Sequence, residues 1–197
     1  MKIFSLLLAA SLVLMPVQQS YHTKGYIFIG DSRIVGMEQA LSEREKENIK
    51  FIAEVGVGIK LLQTVENQIQ EIIKENEEMQ WIIICNLGVN DLDNAEKYAK
   101  IYQEMSEKYA DFHVVSVNPV IENNTHYATN DKIKTFNDLI QQQDFSYIDT
   151  NSQIINDFQS IDGLHYSKET YKKIFQIIME QIKEKEKETE YDKRRIL

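Results

Sequence analysis

Ser32 lies in Gly30-Asp31-Ser32-Arg33, directly after the apolar run Tyr26-Ile27-Phe28-Ile29, and Asp162-Gly163-Leu164-His165 lies near the other end of the chain. A serine hydroxyl is a weak nucleophile until a base takes its proton. An imidazole can be that base, and a carboxylate beside it can fix its tautomer and stabilise the imidazolium. A serine at a strand-to-helix turn also meets free backbone N–H groups and the positive end of the helix dipole, which favour the oxyanion formed on attack. Each fragment alone has a plainer reading: Asp31 or Ser32 as a helix N-cap, and D-x-x-H as a loop before a helix. Together they supply the three side chains of a serine esterase. Of the four histidines, His165 is the best base: His22 flanks the apolar N-terminus, His113 opens a strand-like run and His126 sits in a polar loop.

An oxyanion needs donors. Gly88-Val89-Asn90-Asp91 follows the most apolar run of the chain, and an Asn90 amide there could donate to it, a contribution on the order of 3 kcal/mol. Val55-Gly56-Val57-Gly58 offers a backbone N–H from Gly58 or from Gly56. Asn118 is a further candidate for substrate contact. Arg33 either meets an anionic substrate or, the reading favoured here, points to solvent. Asp91, Asp93 and Asn94 lack the ligand spacing of a calcium loop.

The elements that must bring these residues together alternate between strand and helix. Strands are expected over residues 26–29, 50–55, 81–87, 112–117 and 147–149. Helices are expected over 34–47, over 59–78 with an apolar stripe at Ile59, Leu62, Val65, Ile69, Ile72 and Ile73, from a cap at 93–96 to about 110, and over 131–142. Ser167 can cap a last helix whose buried face includes Tyr171, Ile174, Phe175, Ile178 and Ile182. The charged stretch from 184 onward is a solvated helix extension or a disordered end. Repeated β-α alternation implies an α/β protein: a three-layer α/β/α sandwich around a central, mostly parallel five-stranded sheet. Ligands of such sheets bind at the carboxyl ends of the strands. Ser32, Gly56 or Gly58, Asn90, Asn118 and the Asp162–His165 pair all follow strands, so they converge on one rim.

A chain of 197 residues with 43% apolar content can bury one core, and its net charge of −9 argues against nucleic acid as a partner. Cys85, the single cysteine, cannot form an intramolecular disulfide and is expected to be buried and inert. Residues 1–24 carry an apolar run over 3–15, long enough for a signal-peptide core and short of a bilayer span. The expectation is a secreted protein or one attached to the outer face of the membrane; an ordinary apolar helix of a cytoplasmic protein is the alternative. Asn123-Asn124-Thr125 is formally a glycosylation acceptor and carries no weight. G-x-S-x-G, G-x-x-x-x-G-K-[ST] and H-E-x-x-H do not occur in the sequence.

Taken in chain order, the four fragments resemble those of the SGNH hydrolases, also called GDSL-type esterases and lipases, over about residues 25–183. The resemblance implies a flavodoxin-like fold with Ser32 as nucleophile, His165 as base and Asp162 as its orienting partner. It implies an oxyanion hole made by Ser32, Gly58 (or Gly56) and Asn90, and no cofactor or metal. Arg33 departs from the leucine usual in the first block. No long insertion is present to form a lid, which favours a small acyl group, such as acetyl on a cell-surface or dietary glycan. Activity is expected to rise with pH as a histidine base becomes neutral. A catalytically silent binding module of the same fold, or an acyltransferase using the same residues, are the competing readings.

Overall fold

The structure is a computed structural model that describes residues 23–122 and 127–196. The expected N-terminal export segment, His22, His126 and the Asn123-Asn124-Thr125 acceptor lie outside the described residues. Among these residues, no helix is long and apolar enough to cross a membrane.

Five strands form one sheet: β1 (Lys24–Gly30), β2 (Ile49–Ala53), β3 (Gln80–Asn86), β4 (Phe112–Val115) and β5 (Ser146–Ile148). Their order is β2-β1-β3-β4-β5, and all four pairings are parallel. Strand order reverses between β1 and β3, so a crevice opens where their carboxyl ends diverge. Ser32 follows β1 and Asn90 follows β3.

Alternation along the strands sorts side chains onto two faces. Ile27, Ile29, Ile83, Cys85 and Val114 face one layer, made by α2 (Ile59–Leu62), α3 (Glu66–Glu75), α4 (Ala95–Lys108) and α5 (Asn130–Gln141). Phe28, Ile82, Ile84 and Val115 face the other, made by α1 (Ser32–Ala40), α6 (Asn151–Ile154) and α7 (Lys168–Ile196). The central strands are apolar on both faces because both are covered. Cys85 is fully buried, and burial pushes its thiol well above the usual range.

Several elements differ from the sequence expectation. The helix expected over 34–47 ends at Ala40. Beyond it, Ser42 and Glu45 bond reciprocally: Ser42 N–H and Oγ donate to Glu45 Oε2 at 2.8 and 2.7 Å. That pattern starts a new turn rather than continuing the old one. Asn48 then adopts φ 62° and leads into β2. The stretch expected as one helix over 59–78 divides into α2 and α3, because Gln63 and Thr64 N–H donate three residues back, to Lys60 and Leu61 O. No side-chain cap forms at Asn94; a 3₁₀ turn over Leu92–Asn94 precedes α4 instead. β4 stops at Val115, two residues early, since Val117 pairs its N–H and C=O with the Asn137 side chain, both at 2.9 Å. The short α6 was not anticipated. Ser167 does cap α7, accepting from Thr170 N–H at 3.3 Å, and the charged stretch continues that helix.

Candidate active site

Gly30 closes β1 where the chain must turn beside its neighbours. A Cβ there would lie 2.1 Å from Ile34 Cγ1 and 2.8 Å from the Asn86 carbonyl, so only glycine fits. Asp31 is the N-cap of α1, its Oδ1 accepting from Arg33 N–H at 2.9 Å. The two readings of this tetrapeptide therefore fall on different residues. Asp31 caps the helix, and the Ser32 hydroxyl is left for another partner.

That partner is His165. Its Nε2 lies 2.8 Å from Ser32 Oγ, and its Nδ1 lies 2.7 Å from Asp162 Oδ2. The other Asp162 oxygen accepts from His165 N–H at 2.7 Å and Leu164 N–H at 2.9 Å. Burial acts to raise the Asp162 pKa, but bonds from the His165 ring and from the two N–H groups outweigh it, and the carboxyl is held down at about 2. An ionised carboxylate only accepts. Nδ1 must then carry the ring hydrogen, and Nε2 is free to accept from the Ser32 hydroxyl.

The loop holding this pair is braced from within. Gly163 adopts φ 93°, a backbone conformation open to glycine. Ser160 Oγ accepts from Gly163 N–H at 2.7 Å and donates to His165 O at 2.6 Å. Ile121 N–H donates to Gly163 O at 2.9 Å, which ties the loop to the segment after β4.

In the loop after β3, Asn90 donates one amide hydrogen to Val57 O at 2.6 Å. This fixes the amide and leaves its second hydrogen available. Gly58 is the residue before α2, and a Cβ on it would lie 2.4 Å from Asp91 Oδ2. Gly56, at φ 77°, has open space around it and serves the turn. Of the two glycines, Gly58 is therefore the one packed against the Asn90–Asp91 segment.

Two expectations are corrected. Arg33 neither points to solvent nor is free for substrate; it is 3% exposed. Its guanidinium donates to Leu164 O at 3.2 Å, Asn118 O at 2.8 Å and Pro119 O at 3.4 Å, and covers the Tyr166 ring at 4.9 Å. Main-chain carbonyls rather than a substrate anion take its five-donor fork. Asn118 is also buried, its Oδ1 accepting from Thr150 Oγ1 at 2.7 Å. Its side chain therefore contributes to a buried polar network rather than to substrate contact.

Asp91 is the residue whose part the sequence did not disclose. Its Oδ2 accepts from Ile59 N–H at 3.0 Å and its Oδ1 from Tyr98 OH at 2.6 Å. One carboxylate thus pins the start of α2 and the buried face of α4 to the loop after β3. Its position directly after Asn90 was the available signal, but a turn-forming role explained it equally well.

A family profile described as GDSL-like Lipase/Acylhydrolase matches residues 26–178. No protein of curated function matches the chain. Among solved structures, a GDSL-like lipase from Bacteroides thetaiotaomicron is similar at 17% identity and a TM-score of 0.65, covering 82% of this chain and 88% of that one. The acetylxylan esterase Axe2 from Geobacillus stearothermophilus is 13% identical with a TM-score of 0.55, over 81% of this chain and 94% of that one. The catalytic domain of Streptococcus pneumoniae peptidoglycan O-acetyltransferase A is 15% identical with a TM-score of 0.55, over 83% and 96%. At these identities the structures share the fold, while the profile spans most of the sequence and ends just short of the last buried turn of α7. The chain belongs to the GDSL-like lipase/acylhydrolase family.

Proposed function

We propose that the protein is a serine esterase that removes a small acyl group. The observation that carries this reading is the continuous hydrogen-bond chain from Ser32 Oγ through His165 to Asp162, at 2.8 and 2.7 Å. Ser32 attacks the ester carbonyl while His165 Nε2 takes its proton, and Asp162 holds the ring and stabilises the imidazolium. The oxyanion is received by the backbone N–H groups of Ser32 and Gly58 and by the free amide hydrogen of Asn90. His165 then protonates the leaving alcohol, and water, activated by the same base, releases the acid from the acyl-enzyme.

The test is hydrolysis of p-nitrophenyl acetate by the full chain. Ser32→Ala is expected to remove activity above the uncatalysed rate and to abolish labelling by a fluorophosphonate probe. Equal rates for the two proteins would overturn the mechanism.

A further inference from the structure

In the chemistry proposed above, acylation forms a bond from Ser32 Oγ to the acyl carbon and breaks the bond from that carbon to the alcohol oxygen. The serine proton passes through His165 Nε2 to the departing oxygen, so the alcohol lies on the His165 side. The carbonyl oxygen is received on the Gly58–Asn90 side. Of the two halves of the ester, the acyl chain is the one that can run past Gly58, away from His165.

A groove of about 630 Å³ adjoins that side, between α2–α3 and α4. Ile59, Lys60, Lys97, Lys100, Ile101 and Glu104 are among the residues that line it. Both α2 and α4 start near the rim, after β2 and β3. Ile59, the residue after Gly58, donates its N–H to Asp91 Oδ2 at 3.0 Å. Lys97 Nζ donates to Asn94 Oδ1 at 2.8 Å, and Asn94 Nδ2 donates to the same Asp91 oxygen at 3.5 Å. The upper end of the groove is thus built on the loop that carries Asn90.

That end is basic. Lys60, Lys97 and Lys100 are exposed, and among the described residues none of them has a carboxylate within ion-pair distance. Of the carboxylates in the groove, Glu66 is taken by Lys108, and Glu104 lies a helical turn beyond Lys100, further from the rim. Lys97 and Lys100 crest α4 and border the neighbouring groove towards α5 as well. Asp93 and Glu96 border only that neighbour, where Asp93 pairs with Lys132 at 3.3 Å. A single exposed lysine needs no explanation, but this grouping works against the fold. Lys97 sits in the first turn of α4, where the helix dipole favours carboxylates. Lys97 and Lys100 are like charges on adjacent turns of one face. Carboxylates are in excess in a chain of net charge −9, yet none neutralises the three.

We propose that Lys60, Lys97 and Lys100 bind a carboxylate at the far end of the acyl group, so that the preferred substrates are half-esters of small dicarboxylic acids. This rests on the esterase reading above and narrows its acyl group from a neutral one to a charged one. The second carboxylate takes no part in the bond changes at Ser32; it anchors the acyl chain.

The test uses the full chain and the phenyl half-esters of succinic, glutaric and adipic acids. Each is paired with phenyl butanoate, pentanoate or hexanoate, which carries a methyl group in place of the carboxylate. Rates are taken above those without protein. In at least one pair kcat/KM is expected to be roughly tenfold higher for the half-ester, since one exposed ion pair adds up to about fivefold and three lysines share the charge. Raising the salt concentration should shrink the preference. Lys60→Gln/Lys97→Gln/Lys100→Gln should erase it, and Lys100→Gln alone, which should lower it, serves if the triple variant fails to fold. Lys74→Gln, at an exposed lysine in the last turn of α3 outside the groove, should keep it. No preference in any pair, or an undiminished one in the triple variant or in Lys100→Gln, would overturn the anion site alone, provided Ser32→Ala still abolishes turnover of p-nitrophenyl acetate. Failure to hydrolyse p-nitrophenyl acetate and all six phenyl esters would overturn the esterase reading and this inference with it.

Discussion

Asp31 and Asp162 are carboxylates on either side of Ser32, and their surroundings drive them in opposite directions. Burial raises Asp31 to about 6, against the lowering influence of the Arg33 charge and N–H. Asp162, half-exposed and hydrogen-bonded three times, is held at about 2. The linkage signs follow. Asp31 binds its proton more tightly in the folded chain, so the stability it contributes below about pH 4 is lost as pH rises to about 6. Asp162 contributes stability above about pH 4 that is lost as pH falls toward 2. Asp31→Asn, which keeps an N-cap, should therefore gain on the wild type by on the order of 2–3 kcal/mol between pH 4 and pH 7. Urea midpoints measured across that range give the check, and a constant gap would refute it. Asp162→Asn should keep the fold but release the His165 tautomer, lowering kcat by about 10³–10⁴-fold with little change in KM. Residue type and position pointed to Ser32, His165 and Asp162, which the fold joins by hydrogen bonds. The opposite electrostatics of Asp31 and Asp162 were not legible, because burial is a property of the folded chain.

At the scale of elements, the fold was legible where one force dominates. Apolar runs gave all five strands, and the buried stripe of α7 fell where its periodicity put it. The boundaries were missed where a side chain replaces a backbone partner. Ser42 and Glu45 end the α1 stretch, and Asn137 takes over the ladder positions of Val117. The first of these was visible as an S-x-x-E pattern; the second joins residues twenty apart and was not. Asp91 belongs to this class, since its bonds to Ile59 and Tyr98 link three elements that only the fold brings together. Asp91→Ala should cost about 2–4 kcal/mol, because a buried tyrosine hydroxyl and a helix N–H lose their acceptor. It should also lower kcat as Gly58 and Asn90 drift apart. Tyr98→Phe should cost about 1 kcal/mol and leave kcat nearly intact. Urea denaturation paired with steady-state rates separates the two effects, and equal kcat losses in both variants would count against Asp91 as a positioning residue.

For the molecule as a whole, the reversal of strand order between β1 and β3 opens the crevice, while Arg33 ties the rim together. Its guanidinium joins the start of α1 to the loops after β4 and before α7, segments separated by 85 to 131 residues. The sequence showed an arginine in place of leucine beside the nucleophile but could not show that three carbonyls wait for it. Arg33→Leu would leave those carbonyls without a donor in a buried place. A loss of about 3 kcal/mol or more is expected, with a fall in kcat as the His165 loop loosens. Arg33→Lys should recover little of either, because a single ammonium cannot span three acceptors in that fork. Thermal melts and rates on the two variants decide the point, and full rescue by lysine would show that charge alone matters.

The Lys24–Glu186 ion pair, at 2.6 Å, joins the first residue of β1 to a late turn of α7. Both elements approach that pair from the rim that bears Ser32 and His165, since β1 ends there and α7 begins there. The strand covers about 20 Å and the helix, by Glu186, about 27 Å. Any tether attached before Lys24 or beyond Glu186 would therefore grip the molecule by its base. The reactive edge would stand outward like a tool on a handle, working on what lies in front of a supporting surface rather than on the surface itself.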